Sequence, residues 1–258
     1  MKLFDLHSDF PTKVKDFNDI IINSDTEIVG AVYSGKRTFS QAIEIAKKVK
    51  TISKNVHLGF ENIGYEDCNF EEIIKLKPLY CSLTYNGENQ FGYGCDFDLP
   101  LKSYGESVAK ELSNANVFID VAHLSIKGAL QLTTLTNKVF CSHTALNSVY
   151  KHKRNLTDDV IVEIVSLGGV IGLTPVSYFI SNSPTLFDYF IHVDYFIQKF
   201  GDKNLSIGTD FYGCDKFAGN LSSYEDFIKL KEIMLNHGYG EETVKNIFYK
   251  NAKNYFNR

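Results

Sequence analysis

Six side chains in this sequence are of types, and at spacings, that could hold metal ions. His7 and Asp9 sit two apart in DLHSD, Glu61 lies in GFENIG, His123 closes VFIDVAH, His143 closes VFCSH and Asp210 follows SIGT. Each comes at the end of a short apolar run. Imidazole and carboxylate without cysteine suit zinc, manganese, cobalt or iron rather than cuprous copper. In an extended segment the i, i+2 spacing puts His7 and Asp9 on one side, as chelation of a single cation requires. Glu61 has two oxygens and could bridge two cations. Two ions about 3.5–4 Å apart, bridged by a carboxylate and a water, would acidify that water and polarise a carbonyl. That is a hydrolase's equipment.

Taken singly, each residue has a plainer reading. Asp9 could cap the helix that follows it and Asp210 the helix after the last run, because an acceptor side chain satisfies orphan N–H groups. Glu61 could be a solvated loop acid, and a lone histidine at a strand end is more often a hydrogen-bonded core residue than a ligand. Five independent accidents, all at strand ends, are a poorer account than one dinuclear metal centre.

The elements that must position these groups recur along the chain. KLFDLH, EIVGAVY, VHLGFE, LYCSLTY, VFIDVAH, VFCSH, GGVIGLT and LSIGTDF are eight β-rich runs, about thirty residues apart on average. Apolar residues at helical spacing between them predict helices over 40–50, 105–115, 158–167, 186–200 and 224–237. Strands alternating with helices argue for parallel βαβ units, and near-continuous apolar strands argue that both sheet faces are covered. The expectation is an α/β fold: a single (β/α)8 TIM-type barrel with its site at the C-terminal ends of the strands. An open doubly wound sheet is the runner-up, but it wants a glycine-rich turn where this chain has HSDFP. No linker, low-complexity tract or composition shift divides residues 1–258, so one hydrolase domain is expected.

Composition narrows the partners. The balance of 27 Lys and Arg against 31 Asp and Glu gives −4, with the positive residues scattered, so no surface is expected to hold nucleic acid. A 44% apolar content is ample for a core. Five cysteines, odd in number and without C-x-x-C pairing, read as reduced thiols in a cytoplasmic protein. No apolar stretch suits a signal peptide or a membrane span. Cys141, two residues before His143, reads as strand filler.

These residues resemble the membrane (renal) dipeptidase type of zinc metallopeptidase, within the amidohydrolase-like barrels. The matching stretches are DLHSD at 5–9, GFENIG at 59–64, FIDVAHLS at 118–125, VFCSHTALNSVYKHKRNLTDD at 139–159 and IGTDFYG at 207–213, with a closing HGYGEETVKNIFYKNAKNYF. The resemblance implies the same barrel with two Zn²⁺: His7, Asp9 and Glu61 on one, and Glu61, His123 and His143 on the other. It also implies that Arg154 binds the substrate's terminal carboxylate and that Asp210, beside the bridging water and the amino group, shuttles the proton. The residue type of Arg154 agrees. It is one of three arginines, with Arg37 and Arg258, in a lysine-rich chain, and a planar fork suits a carboxylate. Its plainer reading is a surface charge leading a helix capped by Asn155 or Thr157.

Two departures stand out. Tyr85 occupies the LTYNGEN segment where mammalian-type members carry a substrate-contacting histidine, and Tyr212 stands where a second acid is frequent. A phenol can donate to a developing oxyanion but cannot carry an imidazolium's charge, or Tyr85 is simply pocket wall. The resemblance makes a homodimer an expectation and a membrane anchor not one. The expected function is hydrolysis of dipeptides bearing a free C-terminal carboxylate by a metal-bridging hydroxide, with Asp210 and Glu61 catalytic and Arg154, Tyr85 and Asp210 on the substrate. The alternatives are a metal-dependent amidase, lactamase, N-acyl-amino-acid or phosphoester hydrolase, and an inactive peptide-binding barrel.

Overall fold

The protein is seen here as a computed structural model that describes residues 1–17 and 23–257; Arg258 lies outside them. Eight strands run β1 (Leu3–Ser8), β2 (Thr26–Tyr33), β3 (Val56–Glu61), β4 (Tyr80–Ser82), β5 (Phe118–Asp120), β6 (Val139–Thr144), β7 (Ile171–Leu173) and β8 (Leu205–Ile207). Every neighbouring pair is parallel, and β8 returns to β1 through Asp5 and Ile207 to close the barrel. Parallel strands need crossovers, and the helices supply them. Leu186–Phe200 matches its predicted span, and Phe39–Val49, Ser103–Asn114 and Asp158–Ser166 lie within two residues of theirs. The fifth, predicted to start at 224, runs Phe227–Asn236.

Local chemistry starts several of these helices. Thr38 with Gln41, and Thr185 with Asp188, form reciprocal capping boxes, each securing two orphan donors. Leu186–Phe200 then buries Tyr189, Phe190, Val193 and Phe196 against the barrel, worth about 1.5–3 kcal/mol for each large apolar side chain removed from water.

Alternate strand residues divide between two cores. Leu3, Ile28, Cys81, Ile119 and Val139 pack under the helices, whereas Phe4, Val29, Tyr80, Phe118 and Phe140 fill the barrel with Tyr255 of the closing helix. By the same alternation Gly59 and Glu61 of β3, and Asp120 of β5, face inward. The interior is thus an apolar floor under a polar layer. Two glycines allow the strands to meet at that layer: a Cβ on Gly208 would lie 1.8 Å from the Ser142 carbonyl oxygen, and one on Gly172 2.1 Å from it. Backbone cannot yield as a side-chain tip does, so Gly208→Ala is expected to lower unfolding free energy by about 3 kcal/mol, measured by urea denaturation. Among the described residues no helix is long and apolar enough to cross a membrane. All five cysteines are free.

Candidate metal centre

His7, Asp9, Glu61, His123, His143 and Asp210 do converge, at the C-terminal mouth of the barrel, and all six are buried. Glu61 Oε1 stands 2.9 Å from His123 Nε2, 3.8 Å from His143 Nε2 and 3.9 Å from His7 Nε2. His7 Nε2 is also 3.5 Å from Asp9 Oδ1 and 3.9 Å from Asp210 Oδ1. Two triads could each hold an ion, His7–Glu61–His143 and His7–Asp9–Asp210. His7 is common to both.

The routes by which these residues arrive differ from the expected ones. Asp9 has left the strand (φ −84°, ψ 9°), so strand alternation does not bring it beside His7; the turn into Phe10–Lys13 does. It occupies the N-cap position but its side chain makes no capping bond, and Oδ1 is buried without a hydrogen-bond partner. Alternation from Phe4 and Leu6 would send His7 toward the helices, and alternation from Phe140 would do the same to His143. The β1–β2 register breaks between Asp5 and Ser8, and the β6–β7 register between Cys141 and Thr144. Such irregularities re-aim a side chain. His123 and Asp210 do not close their strands, which end at Asp120 and Ile207; both lie three residues on, at positive φ (69° and 58°). Non-glycine residues in that region carry strain that the surroundings must hold.

The ring nitrogens decide whether a metal fits. His123 Nδ1 donates to the Asn86 side-chain oxygen at 2.7 Å, and His7 Nδ1 is hydrogen-bonded to the Tyr80 hydroxyl at 2.8 Å. Ser142 Oγ gives its hydrogen to Asp120 Oδ2 at 2.5 Å, so toward His143 Nδ1, at 2.8 Å, it accepts. All three Nδ1 atoms are therefore spoken for, and the Nε2 atoms face one another, His123 and His143 at 3.1 Å. The facing Nε2 atoms of His123 and His143 and the orphaned Asp9 Oδ1 are a donor set that a divalent cation satisfies.

Electrostatics agrees. Burial, with the charges of Arg154 and His7, pushes His123 and His143 well below the usual imidazole range, so both are held neutral, the form in which an imidazole can bind a metal. Burial pulls His7 down too, but the adjacent Asp9 carboxylate and the charges of Glu61 and Asp210 outweigh it and carry it up to about 10. Burial, then the charge of Asp9, lifts Glu61 well above the carboxylate range, and burial lifts Asp210 to about 7. The carboxylates thus demand positive charge at His7 Nε2, and a metal ion supplies it in place of a proton.

Arg154 lies beside this cluster, 5% exposed, in a cavity of about 330 Å³ that Tyr33, Tyr85, Phe179 and Lys13 also line. One guanidinium nitrogen reaches the His143 carbonyl at 3.4 Å and the group stands 5.4 Å over the Phe179 ring, but Nε has no partner. No carboxylate pairs with it among the described residues. It is not the solvated surface charge of the plainer reading. Thr157, at the N-cap of Asp158–Ser166, makes no side-chain cap.

Tyr85 is 36% exposed and stacks on His123, with ring centroids 4.2 Å apart, and Tyr33 lies against it at 4.9 Å. Tyr212 points away, lining a separate surface cavity with Phe211 and Tyr224. Cys141 turns to the helix-side core.

The family model for membrane dipeptidases, peptidase family M19, matches residues 40–256. The chain belongs to the membrane dipeptidase family. The match takes in Glu61, His123, His143, Arg154 and Asp210, while His7, on β1, and Asp9, on the turn after it, precede it. Curated relatives include Dipeptidase verJ of Clonostachys rogersoniana, 26% identical over 84% of this chain and 57% of the relative. An uncharacterized dipeptidase of Schizosaccharomyces pombe is 27% identical over 67% of this chain and 46% of its own. The chain thus spans about half the length of these relatives. Among solved structures, a Rhodobacter sphaeroides metallopeptidase liganded with a phosphinate mimic of L-Ala-D-Ala superposes with TM-score 0.84 at 16% identity, covering 100% of this chain and 99% of that one. A dipeptidase of family M19 superposes at 0.86 and 17% identity, covering 100% and 98%. At such identities these likenesses bear on the fold, a (β/α)8 barrel.

Sequence reading missed Tyr33, Tyr80, Asn86, Asp120 and Ser142. Asn86 adjoins Tyr85 and Ser142 adjoins His143, but nothing local marks which hydroxyl or amide will meet an imidazole across the barrel.

Proposed function

We propose that the chain is a metal-dependent dipeptidase that hydrolyses dipeptides with a free C-terminal carboxylate. The observation that carries this reading is the convergence of three imidazole Nε2 atoms on Glu61 beside a buried arginine that has no carboxylate of its own. His7, Asp9, Glu61, His123 and His143 would hold two divalent ions, zinc by the nitrogen and oxygen donor set. When bound, the ions supply Lewis acidity to a carbonyl oxygen and acidify a water.

The chain's own groups do the rest. Arg154, which has no carboxylate partner among the described residues, offers its fork to the substrate carboxylate and so fixes the distance from that charge to the scissile bond; a longer peptide would place no charge there. Asp210 Oδ1, on the cluster side, can take the proton an attacking water loses and release it to the leaving nitrogen, because burial brings its carboxyl to about 7. Tyr85, held by its stack on His123, closes one wall and presents a phenol donor.

Protein purified without chelator is expected to carry about two metal equivalents by elemental analysis, and to cleave dipeptides but not their C-terminal amides. Chelator should abolish that activity. Absence of metal, or equal cleavage of the amides, would overturn the reading. A second reading keeps the metals and Arg154 but takes N-acyl amino acids: apart from Asp9, Glu61 and Asp210 the described lining holds no carboxylate for a substrate ammonium, and it does hold Lys13. Cleavage of N-acetyl amino acids in preference to dipeptides would select it.

A further inference from the structure

We infer that Asp120 and Ser142 form a tautomer lock on His143, a positioning device that keeps the His143 Nε2 lone pair aimed into the metal cluster. The inference rests on the reading of His143 as a metal ligand. The three histidines have unlike supports. His123 faces an amide oxygen, which can only accept, so its Nδ1 must be the protonated nitrogen. His143 faces a hydroxyl, which can donate or accept and so dictates nothing until its own hydrogen is fixed.

Asp120 fixes it. Its Oδ1 accepts from the backbone N–H of Ala122 at 2.9 Å and of Ser142 at 2.8 Å, and its Oδ2 takes the Ser142 hydroxyl hydrogen at 2.5 Å. The carboxylate is 1% exposed and, among the described residues, has no Lys or Arg partner. With that hydrogen spent, Ser142 Oγ can only accept from His143 Nδ1–H, and the lone pair falls to Nε2, 3.8 Å from Glu61 Oε1 and 3.1 Å from His123 Nε2. The arrangement also fixes how an amide at position 120 would sit. Two backbone donors hold the Oδ1 site, so Asn would keep its oxygen there and turn its NH₂ to Ser142. Ser142 would then have to donate, to His143 Nδ1 at 2.8 Å or to His7 Nδ1 at 3.4 Å. Either choice moves a ring proton to an Nε2 inside the ligand cluster, where it blocks a metal.

The consequence is a sign reversal that a merely structural role would not give. In Asp120→Asn, Zn²⁺ affinity at one site should fall about 10–100-fold, the usual range for losing a ligand's hydrogen-bonded support, read by competition with a chromophoric chelator. Adding Ser142→Ala should recover affinity by at least about threefold over Asp120→Asn alone, because the wrong donor is gone and the imidazole is free to choose its tautomer. Histidine ¹⁵N NMR of the metal-free protein reads the lock directly: His143 should carry its proton on Nδ1 in the native chain, and in Asp120→Asn the ring that Ser142 now donates to, His143 at 2.8 Å or His7 at 3.4 Å, should lose its Nδ1 proton. Native-like Zn²⁺ affinity in Asp120→Asn overturns the inference, as does a double variant no better than the single. Should Asp120→Asn not fold, the native spectrum decides, and an Nε2–H on His143 sinks the lock. Failure of the native chain to bind Zn²⁺ at all would instead overturn the metal-centre reading, while the spectrum still answers for the tautomer.

Discussion

Glu61→Gln is expected to cut kcat/KM on dipeptides at least about 10³-fold, some 4 kcal/mol of barrier at 1.36 kcal/mol per decade, and at the same time to stabilise the metal-free protein. The two effects share a cause. Glu61 is 3% exposed, and its Oε1 lies within 4 Å of three imidazole nitrogens. Burial and the neighbouring Asp9 charge oppose its ionisation, so without a cation this carboxylate is a standing cost. Glutamine has the same shape and no charge, and its NH₂ can donate to His123 Nε2, 2.9 Å from the present oxygen. That bond fills a lone pair the metal needs, and a neutral amide is a weak bridge. Removing a buried, imperfectly satisfied charge is worth about 1–3 kcal/mol. Chelator-treated Glu61→Gln should therefore melt above the chelator-treated native chain, while the order reverses when Zn²⁺ is added. A variant that kept its metal and its turnover would show that Glu61 is a core acid, and the dinuclear reading would fall with it.

How much of this was legible beforehand depends on the distance over which each feature is decided. Strands and helices follow from local periodicity, and the 186–200 helix carries its whole specification in TLFDYFIHVDYF: a capping box and an apolar stripe. Residue types at the six clustered positions were equally plain, because a polar residue after an apolar run marks the rim of a barrel. What could not be read was the mechanism of convergence. His7 and His143 face inward because register breaks in β1 and β6 override alternation, and those breaks depend on how two strands meet. His123 and Asp210 reach the site from left-handed turns past their strands, a conformation tertiary contacts must enforce. The supports of the histidines come from other strands and loops altogether: Tyr80 is 73 residues from His7, Asn86 is 37 from His123 and Asp120 is 22 from Ser142. Tyr212, singled out because it stands where the resemblance puts a second acid, lies at φ 69° and lines a separate surface cavity.

Arg154→Ala is expected to lower kcat/KM for free-acid dipeptides by about 30- to 5,000-fold, corresponding to the 2–5 kcal/mol of truncating one partner in a buried hydrogen-bonded charge pair. The matching C-terminal amides, which the native chain is expected not to cleave, should stay uncleaved. The split is what distinguishes a substrate clamp from a structural residue. In the protein Arg154 makes one long bond to the His143 carbonyl, rests over Phe179 and leaves Nε without a partner. So few contacts cannot repay the desolvation of a guanidinium that is 5% exposed. Loss of the side chain should accordingly leave the thermal midpoint unchanged or raised. Arg154→Lys should fall between, because an ammonium keeps the charge but not the planar fork that meets both carboxylate oxygens. Its loss should appear in kcat as well as KM, since a monodentate grip lets the scissile carbonyl drift from Glu61 and Asp210, and misplacement near 1 Å can cost about 10² in rate. An Arg154→Ala protein that discriminated acids from amides as the native chain does would move the carboxylate site elsewhere, with Lys13 and Lys153 the remaining cations of the cavity lining. Lys153 already pairs with Asp96, so Lys13 would be the one to replace next.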